Sequence, residues 1–288
     1  MSTTRFDVDK IVRHAKNLPS PPLVLSRLME LMGDSNRSRA DVVRIVEVDA
    51  AFTAEILRIV NSAAYTRKRR VDSVGEAIGL LGESELVKIV VRRASAVISR
   101  PDLPGYGMDD FGLWRNSLRI ALAADAIAWH TGTVQSSMAY TAGLLCDVGK
   151  LALGTYLGKA VDDVMDWQLN NPGSQFVEAE RAILGLDHAE LGALMVEDWG
   201  LPQAIVEAVR FQHRPSDAEE NQVLAYHVHV GDAIASMVGG VSGIDVLWYR
   251  LDPYWSEVIG LAPGQFDTLV DDVRNLSEAV EEQLQKAS

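Results

Sequence analysis

Apolar residues recur at helical spacing along almost the whole chain, and strictly alternating segments are scarce. After the prolines of "LPSPP", for example, Leu25, Leu28 and Met32 lie three and four residues apart. This spacing places their side chains on one face of a helix. The hydrophobic pattern therefore predicts an all-α fold.

Glycine, proline and aspartate separate the predicted helices. The stretch "SRPDLPGYGMDD" is the strongest break, and it predicts an N-terminal helical subdomain over 1–104, a helical bundle over 105–240 and C-terminal packing helices over 241–288. The later helices are predicted at Phe111 to His130, Ser136 to about Leu157, Val161 to Asn170, Gln175 to Leu184, from the Asp187 cap to the Gly200 turn, beyond Pro202, at 221–239, and near 245–259 and 264–286.

The composition narrows the class of protein. A hydrophobic content of 48% over 288 residues is enough for a buried core, and the net charge of -13 argues against broad binding to nucleic acid or to an anionic membrane. Small anions are still possible ligands. A single cysteine, no secretory signal and no run of about 20 apolar residues predict a cytoplasmic bacterial protein without membrane spans.

Six polar residues interrupt otherwise apolar helices: Asn116, Cys146, Asp147, His188, His213 and Asp232. A carboxylate in such a place is costly unless it is paired or ligated. The helices could bring these residues around one metal ion. Alternatively, Asp147 pairs with Lys150 or Arg115, and each histidine is a structural residue with its hydrogen bonds satisfied. Spacing alone leaves both arrangements open.

Two further features have functional and structural interpretations. The basic tetrad Arg67, Lys68, Arg69 and Arg70 could dock an acidic partner or a nucleotide, or it could be a solvated loop balanced by the acidic remainder. Four tryptophans at helical positions are expected to add core area: Trp114, Trp129, Trp167 and Trp199.

The order of several longer stretches resembles one known family. These stretches include "VDAAFTAEILRIVNSAAY", "LWRNSLRIALAADAIA", "MAYTAGLLCDVGKLAL", "LDHAELGALMVEDWGLPQAIVEAVRFQH" and "HVGDAIA", within residues 17–235. Together they resemble the HDOD family, a signalling branch of the HD phosphohydrolase superfamily. The resemblance implies an HD-like multi-helix bundle joined to an N-terminal helical subdomain.

The resemblance also implies a degraded metal site. Catalytic HD enzymes of this arrangement bind metal through a histidine, a His-Asp pair and a later aspartate, and the matching residues here are Asn116, Cys146 with Asp147, and Asp232. His188 and His213 match histidines that binuclear relatives use for a second metal. A carboxamide is a poor ligand for zinc or iron, whereas a thiolate at Cys146 could bind a soft metal. A buried apolar thiol is the interpretation we favour for Cys146.

We therefore predict a non-catalytic signal-transduction or scaffold protein with no cofactor and no metal, acting on a signalling partner. The vestigial site comprises Asn116, Cys146, Asp147, Lys150, His188, His213 and Asp232. One alternative is a metal-dependent phosphodiesterase that uses Asp147, His188, His213 and Asp232. A second is a sensor whose old cavity binds a nucleotide, with Lys150 or Arg115 facing the phosphate.

Overall fold

The computed structural model describes residues 6–18, 31, 38–47, 50–61, 71–82, 103–109, 112–239 and 243–285. Over these ranges the regular structure is helical, and the β-type pairing is a lone antiparallel bridge between Leu103 and Met108. The predicted all-α class is confirmed. Contacts divide the chain into a larger unit, residues 1–20 with 98–280, and a smaller unit, residues 21–97 with 281–288. The three-part division at 104 and 240 stays a prediction.

The helices described are numbered in chain order. They are α1 (Val8–Lys16), α2 (Arg39–Glu47), α3 (Ala50–Val60), α4 (Val74–Leu81), α5 (Gly112–Thr131), α6 (Ser136–Leu145), α7 (Gly149–Leu157), α8 (Val161–Asn170), α9 (Phe176–Leu184), α10 (His188–Asp198), α11 (Gln203–Phe211), α12 (Gln222–Gly239), α13 (Trp255–Ile259) and α14 (Pro263–Gln285). Short 3₁₀ turns occur at Pro215–Asp217 and Asp245–Trp248.

In the smaller unit, α2, α3 and α4 pack against one another. Val46, Ile56 and Ile78 are among the buried residues that join them. The Asn61 side chain donates from Nδ2 to the carbonyls of Leu57 and Val71, both at 2.8 Å, and accepts the Val71 amide at 2.9 Å. Asn61 therefore ends α3 and fixes where the chain returns toward α4.

Replacing Asn61 with alanine is expected to lower the free energy of unfolding by about 1–2 kcal/mol, because the amide and carbonyl of Val71 lose their partner. Urea unfolding measures the change. Asn170→Ala is the matched control, since Asn170 makes a single exposed bond to the Asp166 carbonyl at 2.8 Å. Equal losses in the two variants would show that Asn61 has no special structural role.

Helix α5 is the central helix of the larger unit and packs against α6 and α12. Glycines allow the close approach: a Cβ on Gly143 of α6 would lie 2.9 Å from Ala121 Cα, and one on Gly231 of α12 would lie 3.0 Å from the Ile120 oxygen. A second layer forms where α7 packs against α1 and α10. The polar residues predicted from sequence lie on these helices and on the turns that join them.

A core cluster closes the outer side of α5 and α12. It joins α5, α12, α13 and α14 through Ala123, Ile127, Tyr226, Val230, Ile234, Ile259, Leu261, Leu269 and Val273. The C-terminal helices thus complete the same hydrophobic core as the bundle through Ile259, Leu269 and Val273, whereas Leu276 is 49% exposed.

Three local predictions were wrong. The helix predicted from Ser136 to Leu157 is two helices, broken at residues 146–148, and the one predicted near 245–259 is a 3₁₀ turn followed by the short α13. Pro253, which lies between these last two elements, cannot donate the hydrogen bond that a continuous helix needs. Trp114 is buried, but Trp129 is 75% exposed and adds little to the core.

Candidate functional site

The break between α6 and α7 places Asp147 in the interior. Residues 146–148 form a turn in which the Val148 amide bonds to the Leu145 carbonyl at 3.2 Å, and the Lys150 amide bonds to the Asp147 carbonyl at 2.9 Å. The Asp147 side chain leaves this turn and is buried among α5, α7 and α10. A buried carboxylate of this kind needs charged or hydrogen-bonding partners.

Asp147 has such partners in the protein itself. Its Oδ2 accepts hydrogen bonds from Asn116 Nδ2 at 3.0 Å and from Lys150 Nζ at 2.9 Å, and His188 Nε2 lies 3.5 Å from its Oδ1. Burial raises the pKa of Asp147, but the Lys150 ammonium and then His188 outweigh burial, so the pKa lies below its ordinary value. Asp147 is therefore an ionised carboxylate.

Lys150 is enclosed by negative charge. Its side chain is 2% exposed, and its Nζ donates to Asp147 and, at 2.7 Å, to Asp245 Oδ2. The ammonium also lies 5.5 Å from the centre of the Tyr106 ring. Burial lowers the pKa of Lys150, but the Asp147 and Asp245 carboxylates raise it well above its ordinary value. Lys150 is thus a permanent buried cation.

The sequence left Lys150 and Arg115 open as partners of Asp147, and the structure pairs Asp147 with Lys150. Arg115 instead donates from Nη2 to both carboxylate oxygens of Asp109, at 2.6 and 2.7 Å. Arg115 therefore contributes to the surface and does not neutralise Asp147.

His188 begins α10, immediately after the Asp187 cap, and is held at both ring nitrogens. Its Nδ1 lies 2.8 Å from Glu180 Oε2, and its Nε2 lies 2.9 Å from His213 Nε2. Glu180 is fixed in turn by the Tyr106 hydroxyl at 2.6 Å and by the His188 amide at 3.0 Å. Since the carboxylate accepts, His188 Nδ1 carries hydrogen.

The two histidines differ in protonation. Burial lowers the pKa of His188, but the Glu180 charge outweighs it and the pKa lies above its ordinary value. Burial and the neighbouring His188 hold the pKa of His213 well below its ordinary value. These shifts favour the charged form of His188 and the neutral form of His213, and the two facing Nε2 atoms share one hydrogen bond at 2.9 Å.

Asp232 on α12 is buried near this group. Burial and the charge of Asp147 raise its pKa to about 8, although Lys150 acts in the opposite direction. At neutral pH Asp232 is therefore mainly a neutral acid. Its proton relieves the repulsion that a second carboxylate beside Asp147 would create.

Replacing Asp232 with asparagine is expected to stabilise the protein more at pH 8 than at pH 5. The pKa of Asp232 is about 8 in the folded state and about 3.9 when unfolded, so the wild type loses stability as pH rises across that window. Asparagine does not titrate, and the advantage should grow by up to about 1.4 kcal/mol per pH unit. Unfolding midpoints at the two pH values measure it.

The matched control for this prediction is Asp271→Asn, because Asp271 is 71% exposed and pairs with Arg274 on the surface. Its effect should be nearly the same at both pH values. If the advantage of Asp232→Asn did not change with pH, the protonated state assigned to Asp232 would be wrong.

Cys146 is buried directly after the end of α6 and is hydrogen-bonded at both its thiol and its carbonyl. Its Sγ donates to the Gly143 carbonyl at 3.2 Å, and its own carbonyl accepts from Gln212 Nε2 at 2.7 Å. Burial and then the Asp147 charge raise the pKa of Cys146 well above its ordinary value. The thiol therefore stays protonated, which is the form that binds metals poorly.

The sequence interpretation missed Tyr106, Glu180, Asp245 and Tyr249. Glu180 had a signal, because it lies in the apolar stripe of α9 as Asp232 does in α12. Asp245 had none, since it reaches Lys150 across 95 positions of sequence. The basic tetrad Arg67 to Arg70 lies outside the described residues.

A narrow cleft opens beside the two histidines. Its empty volume, including the part open to solvent, is about 230 Å³. Pockets for drug-sized ligands usually measure about 300–1,000 Å³. The residues that line it include His188, His213, Asp245, Phe176, Trp248 and Tyr249.

The site does not fit a divalent metal ion. Among the described residues, no group of three or more histidine, cysteine or carboxylate side chains is placed to hold one. Lys150 Nζ is 2.9 Å from Asp147 Oδ2, and Asn116 directs its amide nitrogen at the same oxygen. A divalent ion bound by this carboxylate would meet an ammonium and an N–H donor at close range.

Described helices are too short or too polar to cross a lipid bilayer.

Solved structures with the same fold come from several bacteria. A proposed signal transduction protein of Marinobacter aquaeolei VT8 superposes with a TM-score of 0.61 at 20% identity, over 98% of this chain and 68% of that one. A proposed phosphohydrolase of Shewanella amazonensis SB2B gives 0.59 at 20% identity, over 95% and 97%. An HDOD domain protein of Geobacter sulfurreducens with unknown function gives 0.58 at 20% identity, over 94% and 98%.

Sequence comparison identifies the family. An uncharacterised protein of Treponema pallidum (strain Nichols) is 25% identical over 209 residues, which are 71% of this chain. The chain spans 39% of the length of that relative. The sequence model of the HDOD domain matches residues 18–215, well over half of the chain. The chain therefore belongs to the HDOD domain family.

Proposed function

We propose that this chain is a non-catalytic signal-transduction protein, in which an HD-like bundle is kept for binding and not for hydrolysis. The observation that carries this proposal is the position of Lys150. Its ammonium is 2.9 Å from Asp147 and 2.7 Å from Asp245, so a protein cation neutralises the carboxylate that a catalytic relative would use for metal.

The remaining geometry supports the same conclusion. Asn116 donates to Asp147 at 3.0 Å, and His188 is bonded at Nδ1 to Glu180 and at Nε2 to His213. Hydrolysis by a metal site needs an open coordination position and an activated water. Here Asp147 Oδ2 and both ring nitrogens of His188 are used in hydrogen bonds within the protein.

The signalling role is proposed from the family and from one structural relative. The Marinobacter aquaeolei protein is described as a proposed signal transduction protein, and the likeness at 20% identity supports the fold alone. The partner we propose is another signalling protein, and the basic tetrad Arg67 to Arg70 stays our proposed docking patch. Neutralising the four residues should abolish capture of that partner; unchanged capture would reject the patch.

One observation favours the alternative of a metal-dependent phosphodiesterase. His188 Nε2 and His213 Nε2 face each other at 2.9 Å, and the buried Asp147 Oδ1 has no hydrogen-bond partner. A metal could replace the proton between the rings, with Asp232 as a further ligand. It would have to do so beside the Lys150 ammonium.

Metal content and turnover separate the two proposals. For protein purified without chelator, we expect far less than one metal per chain and no hydrolysis of nucleotides or cyclic dinucleotides with manganese or iron. The comparison variants are Asp147→Asn at the site and Asp271→Asn on the surface. Near-stoichiometric metal, with turnover that Asp147→Asn abolishes and Asp271→Asn retains, would overturn the non-catalytic proposal.

A further inference from the structure

A short segment from beyond the predicted bundle covers the candidate site. We name residues 243–250 the strap. The Ile244 amide donates to the Tyr106 carbonyl at 2.9 Å, and the Trp248 ring stacks on Phe176 with centroids 5.9 Å apart. Asp245–Trp248 is a single 3₁₀ turn, and Leu247 is 62% exposed. The strap is therefore held by a few individual contacts.

The far end of the strap is held at His229. The Tyr249 ring stacks on this histidine with centroids 5.3 Å apart, and its hydroxyl donates to the His229 carbonyl. The Asp252 amide donates to His229 Nε2 at 2.9 Å, so hydrogen lies on Nδ1. These contacts fix Tyr249 and leave residues 243–248 attached through Ile244, Asp245 and Trp248.

Asp245 is an incomplete structural partner for Lys150. Its Oδ2 bonds to the ammonium at 2.7 Å, and its Oδ1 is buried without a hydrogen-bond partner. The side chain is 11% exposed and lines the cleft together with His188 and His213. A carboxylate kept only for stability would normally have both oxygens satisfied.

The charges around Asp245 define what else could occupy its place. Lys150 supplies a positive charge, and apart from Asp245 its Nζ is hydrogen-bonded to Asp147 Oδ2 at 2.9 Å. His188 and His213 line the same cleft. Removing Asp245 would leave the Lys150 ammonium with one carboxylate partner instead of two, and an ammonium with a free N–H donor can bind an oxyanion.

We propose that Asp245 is an internal substitute for a ligand's phosphoryl group, and that this group binds Lys150 when the strap leaves the cleft. The aromatic rings of Phe176 and Trp248 separate at the same time. The proposal deepens the non-catalytic function and rests on it, because a metal bound at Asp147 would displace the Lys150 ammonium. The ligand is recognised and released unchanged.

Inorganic phosphate in EDTA is the probe, and calorimetric titration measures its dissociation constant. Asp245→Asn should bind phosphate about tenfold more tightly than wild type, because the competing carboxylate is gone and more of the protein is open. Asp271→Asn removes the same charge from an exposed pair and should bind as wild type does. Equal affinity in Asp245→Asn and wild type, or equal tightening in Asp271→Asn, would overturn the proposal.

Two further variants locate the phosphate. Adding Lys150→Met to Asp245→Asn should abolish binding, and binding that survives would place phosphate elsewhere. If the double variant does not fold, Trp248→Ala carries the test, since it removes the stack on Phe176 and keeps both charged residues. It should tighten phosphate binding about threefold; affinity at or below wild type would contradict closure by the strap.

The phosphate titrations and the turnover assay test different proposals, so a negative result in one does not decide the other. Hydrolysis that depends on Asp147 would refute the non-catalytic function whatever the phosphate affinities are. Unchanged phosphate affinity in the strap variants, with no metal and no turnover, would refute only the role of Asp245.

Discussion

Replacing Lys150 with methionine is expected to lower the free energy of unfolding by about 3–5 kcal/mol. Methionine fills a similar volume but leaves the Asp147 carboxylate buried with only the Asn116 amide, at 3.0 Å, as a hydrogen-bond donor. Asp245 loses its ammonium partner at 2.7 Å in the same step. Chemical unfolding at pH 7 measures the loss.

A second substitution should recover part of this loss. Asn at 147 removes the uncompensated charge, so Lys150→Met with Asp147→Asn should be more stable than Lys150→Met alone. Arg274→Met is the surface control, because its pair with Asp271 at 2.7 Å is exposed and worth only about 0–1 kcal/mol. A double variant no more stable than the single one would mean that Lys150 acts by packing and not by charge.

The sequence predicted the helices well where an apolar stripe and local end signals agree. Val161–Asn170 has the predicted bounds, α9 differs from its prediction by one residue at its start, and α5 differs by one residue at each end. The break at 146–148 was missed because apolar residues continue through it, from Leu144 to Leu153. Beside this break, Gly149 packs so closely on α10 that a Cβ would overlap the His188 carbonyl oxygen, a tertiary contact that no local pattern indicates.

The site was predictable only in part, for a related reason. Polar residues on apolar helices are visible in a single sequence. The structure does join Asn116 and Lys150 to Asp147 and His188 to His213 by hydrogen bonds, and it places His188 Nε2 3.5 Å from Asp147 Oδ1. The sequence does not show which of these side chains bond to each other, because the hydrogen-bond partners come from distant segments of the chain. Glu180 raises the pKa of His188, Asp245 is the second carboxylate that Lys150 binds, and both residues were missed.

The sequence shows that Lys150 carries a positive charge, but it identifies only one of the two carboxylates that this charge pairs with. Lys150 follows Asp147 by three positions on the start of α7, so their pairing is a local property of that turn. The pairing with Asp245 is not local. The sequence therefore indicated one of the two carboxylates that Lys150 binds.

Replacing Gly149 with alanine is expected to destabilise the protein by at least about 3 kcal/mol or to prevent folding. A Cβ at this position would overlap the carbonyl oxygen of His188 and would lie 2.7 Å from the amide nitrogen of Gly192. Both obstacles are backbone atoms of α10, so no side chain can rotate away. The helices would have to separate, and His188 would move relative to Asp147.

Thermal unfolding and the ring signals of His188 and His213 in NMR spectra measure the two consequences. The matched control is Gly264→Ala on α14, where an added Cβ meets nothing within 4 Å. That variant should change stability by less than about 1 kcal/mol, with a small gain from the higher helix propensity of alanine. If Gly149→Ala were as stable as Gly264→Ala, with both histidine signals unmoved, the close contact of α7 with α10 would not be what positions His188.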